Sequence, residues 1–540
     1  MALYLGLDSS TQSVTAVVIA IEGDTRQMVL ESSLSFDEAL PHYGTAHGVL
    51  PRTDPRIATS SPLMWAEALD VMMARIARSG LELGRLAAVS GSAQQHGSVY
   101  LNSSWVDVVQ TLDGSRPLAD QIRNVFARDE SPIWMDSSTA EECAEITAAV
   151  GGEHVLARRT GSRAFERFTG PQIRRFFKQS PEGYGATDRI HLVSSFLASL
   201  LSGHDAPLDP GDASGMNLMD LASRDWWPEA LDATAPGLHA KLARIVPSST
   251  VVGTLSPYWQ QRYGLPAAKV IAWSGDNPCS LIGTGLVKEG RVAVSLGTSD
   301  TVFGLMREPR VDVTGTGHVF GAPTGDYMGL TCFQNGSLAR ERVRDDLGLN
   351  WKSFSQALDS TPPGGPVVLP WFEPEITPAV PIPGVRRYGV SGTSPEVNVR
   401  ALVDAQMMSM ALHSQWMGVR IDTIHATGGA AANRSILQTM ADVFGANVYE
   451  LAVGNSAALG AALRAAHAEI SAEPAGDWED VIRGFTEPIA RTRLEPDRRR
   501  HAFYRDWIRV YGACEAHALG RGPDPEPLLE QLRGRVTDFS

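Results

Sequence analysis

Lysine is scarce in this chain: five of its 47 basic residues are Lys, and arginine supplies the rest. Positive charge as a whole is in deficit, with 61 acidic residues and a net charge of −14 at pH 7. That balance argues against a nucleic-acid partner, because a phosphate backbone is held by clustered Lys and Arg. It leaves room for a nucleotide, which one local anion site can hold. Cysteine is rare too. Cys143, Cys279, Cys332 and Cys514 lie far apart with no C-x-x-C pair, so neither a disulfide framework nor a zinc site is expected, and a reducing cytoplasm is. The opening MALYLGLDSS lacks the basic flank and long apolar stretch of a secretory signal. No apolar run approaches the ~20 residues of a membrane span, so no membrane partner is expected. Gly-Lys, G-x-G-x-x-G after a strand, H-E-x-x-H and G-x-S-x-G are all missing. P-loop, dinucleotide-binding, zincin and α/β-hydrolase readings drop out with them.

What remains is an ordinary globular composition, 43% hydrophobic and 20% charged over 540 residues, enough for about two to four domains. The stretch from Val270 to Leu305 organises the rest. An apolar run, Val270 to Trp273, reads as a buried strand and ends at Ser274-Gly275-Asp276-Asn277-Pro278. Asn277 is the expected N-cap of a helix with Pro278 in its first position. Asp276 then sits at a strand mouth beside a helix N-terminus, whose dipole favours negative charge. After the helix, a strand from Arg291 to Leu296 runs into the turn Gly297-Thr298-Ser299-Asp300 and a second strand. Such a turn offers N–H groups and two hydroxyls to a phosphate. A carboxylate and an anion-cradling turn are parts that a phosphoryl transferase needs, although the same residues would also make a plain β-α-β-hairpin.

The N-terminus repeats the device. Leu3 to Leu7 is a strand, Asp8 to Ser13 a polar turn, Val14 to Ile21 a second strand and Met28 to Leu34 a third. Two related domains are therefore expected. Asp8 could serve its own turn; following a buried strand and having a counterpart, it is assigned a phosphate or metal role. Pro62 to Arg78 has helical spacing, and a strand from Leu86 to Val89 leads into Ser-Gly-Ser-Ala-Gln-Gln-His-Gly. Gln95 and His96 there suit a polyhydroxylated ligand. Further expectations are capping serines in SPIWMDSS before a helix from Thr139, a buried helix from Arg189 to Leu201, and a Gly/Asp loop from Asp209 to Asn217 lining a cleft. Arg163 and Arg167 could decorate a solvated face. Later come a helix from Ser337 to Asp346 with an Arg-rich face, a Met-bearing helix from Val397 to Met417, and a strand leading to Gly428-Gly429 and a helix from about Ala431. Glycines at that junction let backbone approach a ligand closely. The last seventy or so residues carry no readable motif.

In this order, GLDSSTQSVTAVV, SGSAQQHGSVY, SGDNPCSLIG, SLGTSDTVF and ATGGAAANRSILQTMADVFGANVY resemble the FGGY family of carbohydrate kinases. The match, nearest to the family's longer, eukaryote-type branch that phosphorylates D-xylulose, spans roughly residues 3 to 470. The resemblance implies an α/β fold: two ribonuclease-H-like domains of the actin and hexokinase kind with the active site in the cleft between. It divides the chain into residues 1–268 for the sugar, 269–475 for the nucleotide, and a charged C-terminal extension, 476–540. It implies ATP and Mg²⁺, with Asp276 as general base toward the sugar hydroxyl and Asp8 at the metal. Ser10, Thr11, Gly297, Thr298 and Ser299 would hold phosphates. Gln95, His96, Arg163, Asp276 and Asn277 would hold the ketose, and Trp351, Gly428, Gly429, Ala430 and Asn433 the rest of the nucleotide. The family's short Lys- and Trp-rich signature is not recognisable around Gln172 to Lys178, and Cys279 stands where a small Ala is expected. A sister kinase for another ketose or polyol stays open, as does a non-catalytic ATP switch on the same fold. A monomer or a homodimer is expected.

Overall fold

The computed structural model describes residues 1–312, 314–389, 394–451, 454–470 and 477–533. Two sheets carry the molecule. In the first, β1 (Ala2–Ser9), β2 (Ser13–Glu22) and β3 (Thr25–Ser35) form an antiparallel meander. On the other side of β1, β4 (Leu86–Ala93) and then β5 (Lys269–Ile271) add in parallel. In the second sheet, β6 (Arg291–Leu296), β7 (Asp300–Met306) and β8 (Tyr327–Phe333) make the same meander. Here β9 (Thr423–Thr427) and β10 (Asn447–Glu450) add in parallel beside β6. The paired hairpins expected from the sequence are thus the openings of two ribonuclease-H-like units with one strand order. The first sheet runs past residue 268, where the sequence reading divides the chain, to include Lys269–Ile271.

Alternation along β1 explains how both faces are covered. Leu3, Leu5 and Leu7 pack in the core that includes Met64, Leu69, Met72 and Met73 of α1 (Pro62–Ala77). Tyr4 faces the opposite side, among Ala458, Leu459 and Ala462. A period of two is what a doubly buried strand requires. Gly6 is on that second face because a Cβ there would lie 2.1 Å from the Ala458 carbonyl oxygen. The second sheet follows the same logic. Val292, Val294 and Leu296 pack in the core with Val399, Val403, Ile436 and Met440, while Ala293 packs with Phe303, Leu281 and Leu286.

Two helices join the units. α2 (Asp276–Gly283) leads from the first sheet to the second, and α7 (Ser456–Ile470) returns from the second half to lie on the first sheet. They cross backbone to backbone: a Cβ on Gly460 would be 1.8 Å from the Cys279 carbonyl oxygen, and one on Gly283 1.9 Å from that of Ser456. Between them in sequence are α3 (Ser337–Asp346), α4 (Trp351–Ser360), α5 (Pro395–His413) and α6 (Arg434–Phe444).

Several expected elements differ. Arg189–Leu192 is a strand paired with Ser98–Leu101, burying Ile190 and Leu192, and the buried helix begins only at Val193. Ser138 caps nothing, because its hydroxyl is spent on Asp136, and the helix starts at Ala140. Asp209–Asn217 is a short helix, Pro210–Ala213, capped by Asp209 and followed by a 3-10 turn. The Met-bearing helix stops at His413, before a separate 3-10 turn, Gln415–Met417, that ends at left-handed Gly418. Residues 429–432 form a 3-10 turn, and α6 begins at Arg434 under an Asn433 cap. The C-terminal extension holds a 21-residue helix, α8 (Arg498–Ala518), that buries Phe503, Trp507, Val510 and Tyr511 in the second unit's core. Residues 534–540 lie outside the described residues. Among the described residues no helix is long and apolar enough to cross a membrane.

Candidate active site

Three parallel segments end at one edge of the first sheet: β1, β4 and the short strand Ser274–Gly275. Carboxyl ends of parallel strands leave chain and side chains open to a ligand. Asp8 near the end of β1 and Asp276 at the start of α2 both lie there. Burial pushes the Asp8 carboxyl up to about 7, and the Asp276 charge adds to this against the hydrogen bond donated by Ser92 Oγ. Burial likewise raises Asp276 to about 6, even though the backbone N–H groups of Asn277 and Gln95 donate to it. At about 6, Asp276 is mostly ionised at neutral pH and still basic enough to take a proton.

Asn277 is not the N-cap expected from the sequence. Gly275 holds that position with no side-chain cap, and Asn277 lies inside the first turn. Its side chain is free for other work. Asn277 Nδ2 donates to Asp276 Oδ1 at 3.0 Å and to Gln95 Oε1 at 2.8 Å. Gln95 Nε2 donates in turn to the Gly211 carbonyl at 3.2 Å. Gln95 is therefore satisfied at both ends of its amide by protein groups.

His96 holds φ at 73°, a conformation rare outside glycine. Two bonds fix it: Nδ1–H donates to Gly215 O at 2.7 Å, and Thr169 Oγ1 donates to the His96 carbonyl at 3.0 Å. With the proton on Nδ1, Nε2 is a bare acceptor. Burial and the charge of Arg167 drive this imidazole down to about 3, so it stays neutral. Gly211 and Gly215, from the segment expected to line the cleft, are what hold Gln95 and His96 in place.

The two arginines of the Arg163–Arg167 segment separate. Arg163 packs its guanidinium 4.7 Å from the Phe165 ring centre, and its Nε is buried without a partner. Arg167, which the sequence reading left on a solvated face, turns inward and donates to His318 Nε2 at 3.1 Å. His318 must then carry its proton on Nδ1, toward Ser162 Oγ at 3.2 Å. Among the described residues Arg167 has no carboxylate partner within ion-pair distance. It is a half-buried cation with no such partner, beside His96.

The remaining residues expected at the site lie in the second unit. Gly297 has its N–H on the Asp300 carboxylate and its carbonyl on Ser337 N–H at 2.8 Å. Thr298 is exposed, with no side-chain hydrogen bond among the described residues, and Ser299 Oγ lies 3.4 Å from Gln334 Oε1. Gly428, at φ 89°, presses on the strand before this turn: a Cβ there would be 2.6 Å from Leu296 O. Nothing lies over Gly429, and Ala430 is half-buried. Asn433 spends Oδ1 on the N–H groups of Ser435 and Ile436, and Nδ2 on Ser355 Oγ at 2.9 Å. That last bond ties the Gly428 turn to α4, whose first residue, Trp351, is 40% exposed under the Arg344 guanidinium. In the first unit, Ser10 Oγ bonds locally to Ser13 O at 3.0 Å, while Thr11 Oγ1 accepts from the exposed Trp134 indole at 2.7 Å.

Among the described residues no three His, Cys, Asp or Glu side chains group as a metal cage. Mg²⁺ does not ask for one, since it is commonly held by one or two carboxylates with water and substrate phosphates. Asp8, a half-buried carboxyl facing Asp276 with no ion-pair partner among the described residues, fits that role.

Residues 129–283 match the profile of the FGGY family of carbohydrate kinases, N-terminal domain, and residues 292–469 that of its C-terminal domain. A xylulose kinase from Mus musculus is 41% identical over 535 residues, covering 96% of this chain and 95% of that one. Xylulose kinase 2 from Arabidopsis thaliana is 43% identical over 491 residues, covering 86% and 87%. Among solved structures, xylulose kinase from Rhodospirillum rubrum superposes with a TM-score of 0.80 at 20% identity, covering 96% of this chain and 99% of that one. Plasmodium falciparum glycerol kinase with ADP gives 0.76 at 15%, covering 97% and 99%. With both domain profiles matched and such identity along nearly the whole chain, the protein belongs to the FGGY family of carbohydrate kinases.

Proposed function

We propose that this kinase transfers the γ-phosphoryl group of ATP to the 5-hydroxyl of D-xylulose. One observation carries the mechanism: Asp276 is a half-buried carboxylate raised to about 6 and held by Asn277 and Gln95 at the strand ends. Identity to curated xylulose kinases carries the choice of sugar.

In this reading Asp276 takes the proton from the attacking hydroxyl, a contribution of ~10²- to 10⁴-fold. His96 Nε2 and Asn277 Oδ1 accept from sugar hydroxyls, and Arg163 and Arg167 present donors to the others. Ser10, Thr11, Gly297, Thr298 and Ser299 face the phosphates from the two units, and Gly428, Gly429, Ala430 and Trp351 take the nucleoside, with Asn433 bracing them. Mg²⁺, held at Asp8, would neutralise charge on the phosphates. Closing the cleft excludes water, which would otherwise accept the phosphoryl group. Asp8 and Asp276 enter from the first sheet's edge and Gly297 from the second, so both units are needed. The enzyme acts in the cytoplasm, as monomer or homodimer.

An ADP-release assay across D-xylulose, D-ribulose, L-xylulose and glycerol tests the sugar. D-xylulose should lead in kcat/KM, because a hydroxyl that is misplaced, or in glycerol absent, leaves site groups unpaired at ~1–3 kcal/mol each. Comparable values for glycerol would move the assignment to a polyol kinase.

A further inference from the structure

Beneath the Gly297–Ser299 turn lies an ion pair that the reaction as described does not use. Arg340 of α3 and Asp300, first residue of β7, have side chains 0% and 1% exposed. The guanidinium donates to both carboxylate oxygens, Nη1 to Oδ2 at 2.8 Å and Nη2 to Oδ1 at 2.9 Å. It also reaches Gln406 Oε1 at 3.0 Å and Ser337 Oγ at 2.9 Å. Gln406, on α5, donates to the carbonyls of Asn335 and Gly336 at 2.7 and 3.0 Å. Every link of this network ends on the turn or on the segment pressed against it. Asp300 accepts from Gly297 N–H, Gly297 O accepts from Ser337 N–H, and a Cβ on Gly336 would lie 2.8 Å from Thr298 O.

A buried ion pair seldom stabilises a fold more than apolar groups of the same size would, because both charges lose their water. Stability alone is therefore a poor account of this one. Its position offers a better account. A bare carboxylate under an anion-cradling turn would repel the anion, yet the turn needs an acceptor there to hold Gly297 N–H. Arg340 meets both conditions.

We propose that Arg340 is a positioning residue of the nucleotide-phosphate turn: it holds Asp300 against Gly297 and cancels its charge beneath the bound phosphates. This rests on reading Gly297–Ser299 as a phosphate turn. Calorimetry with a non-hydrolysable ATP analogue and, separately, with D-xylulose tests it on the wild-type protein, Arg340→Met, Arg340→Lys and the charge-neutral double variant Asp300→Asn/Arg340→Met. Thermal unfolding establishes which variants fold. Arg340→Met should bind the analogue at least about tenfold more weakly, with sugar affinity within about twofold of wild type. Arg340→Lys, which keeps the charge and loses the fork, should fall between, and the double variant should recover most of the loss. Analogue affinity unchanged in folded Arg340→Met, or equal losses for both ligands, would overturn the proposal. If Arg340→Met does not fold, the Lys variant decides, and unchanged analogue affinity there overturns it. Failure of the wild-type protein to bind the analogue would instead sink the phosphate-turn reading itself.

Discussion

Replacing Gln95 by Leu separates two roles that the sequence alone leaves merged. Gln95 lies beside His96 and reads naturally as a sugar ligand. In the structure its side chain is spent on Asn277 at 2.8 Å and on Gly211 at 3.2 Å, and a Cβ on Gly275 would fall 2.3 Å from its Cγ. Leu fills the space but makes neither bond. Each lost hydrogen bond costs ~0.5–1.5 kcal/mol, and each buried group left unpaired ~1–3 kcal/mol. Part of that appears as lower stability. The rest appears as freedom for Asn277, and through it for Asp276 Oδ1, to leave the line of proton transfer. Misplacement by about 1 Å can cost on the order of 10²-fold in rate. Steady-state kinetics should therefore show kcat lower by about 10- to 100-fold with the D-xylulose KM changed less than about threefold. A raised sugar KM at unchanged kcat would refute this and restore Gln95 as a direct ligand.

Asp276→Asn should leave both ligands bound in calorimetry while turnover falls below about a tenth of wild type; a smaller loss would remove Asp276 as general base. Because Asp276 works ionised and burial raises it to about 6, kcat/KM for the sugar should be flat above that pH and fall roughly tenfold per unit below it. An acid limb starting at the ordinary carboxylate range, near 4, would contradict the burial argument. Because the proposed site draws on both units, sugar-driven closure should tighten an ATP analogue by several-fold to about a hundredfold. Identical analogue affinity with and without D-xylulose would reject closure and leave the kinase assignment standing.

Strand-turn-strand patterns were readable because each is local. Leu3 to Leu7 with its polar turn, and Arg291 to Leu296 with Gly297-Thr298-Ser299, state their periodicity and their turn within a dozen residues. The strand order, alike in the two sheets, follows from that duplication. Long-range partners were not readable. Arg163 and Arg167 are equivalent in sequence, and what sends Arg167 inward is His318, a residue over a hundred positions later. Arg340 looked like one more arginine on a charged helix until Asp300 and Gln406 closed around it. Asn277 resembled a cap because Asn-Pro is a common helix start, but its amide serves Gln95 and Asp276 instead. The extension's helix Arg498–Ala518 hides its apolar stripe among seven arginines and histidines, and only its packing on the second unit exposes the pattern.

Phosphoryl transfer from ATP to the 5-hydroxyl of D-xylulose is tested most directly in the product. The protein is incubated with ATP, Mg²⁺ and D-xylulose, and the phosphorylated carbon is identified by phosphorus–proton correlation NMR. One sugar phosphate esterified at carbon 5 should form together with ADP, and none should form when Asp276→Asn replaces the wild-type enzyme. ADP release without a sugar phosphate, or phosphate on another carbon, would contradict that assignment.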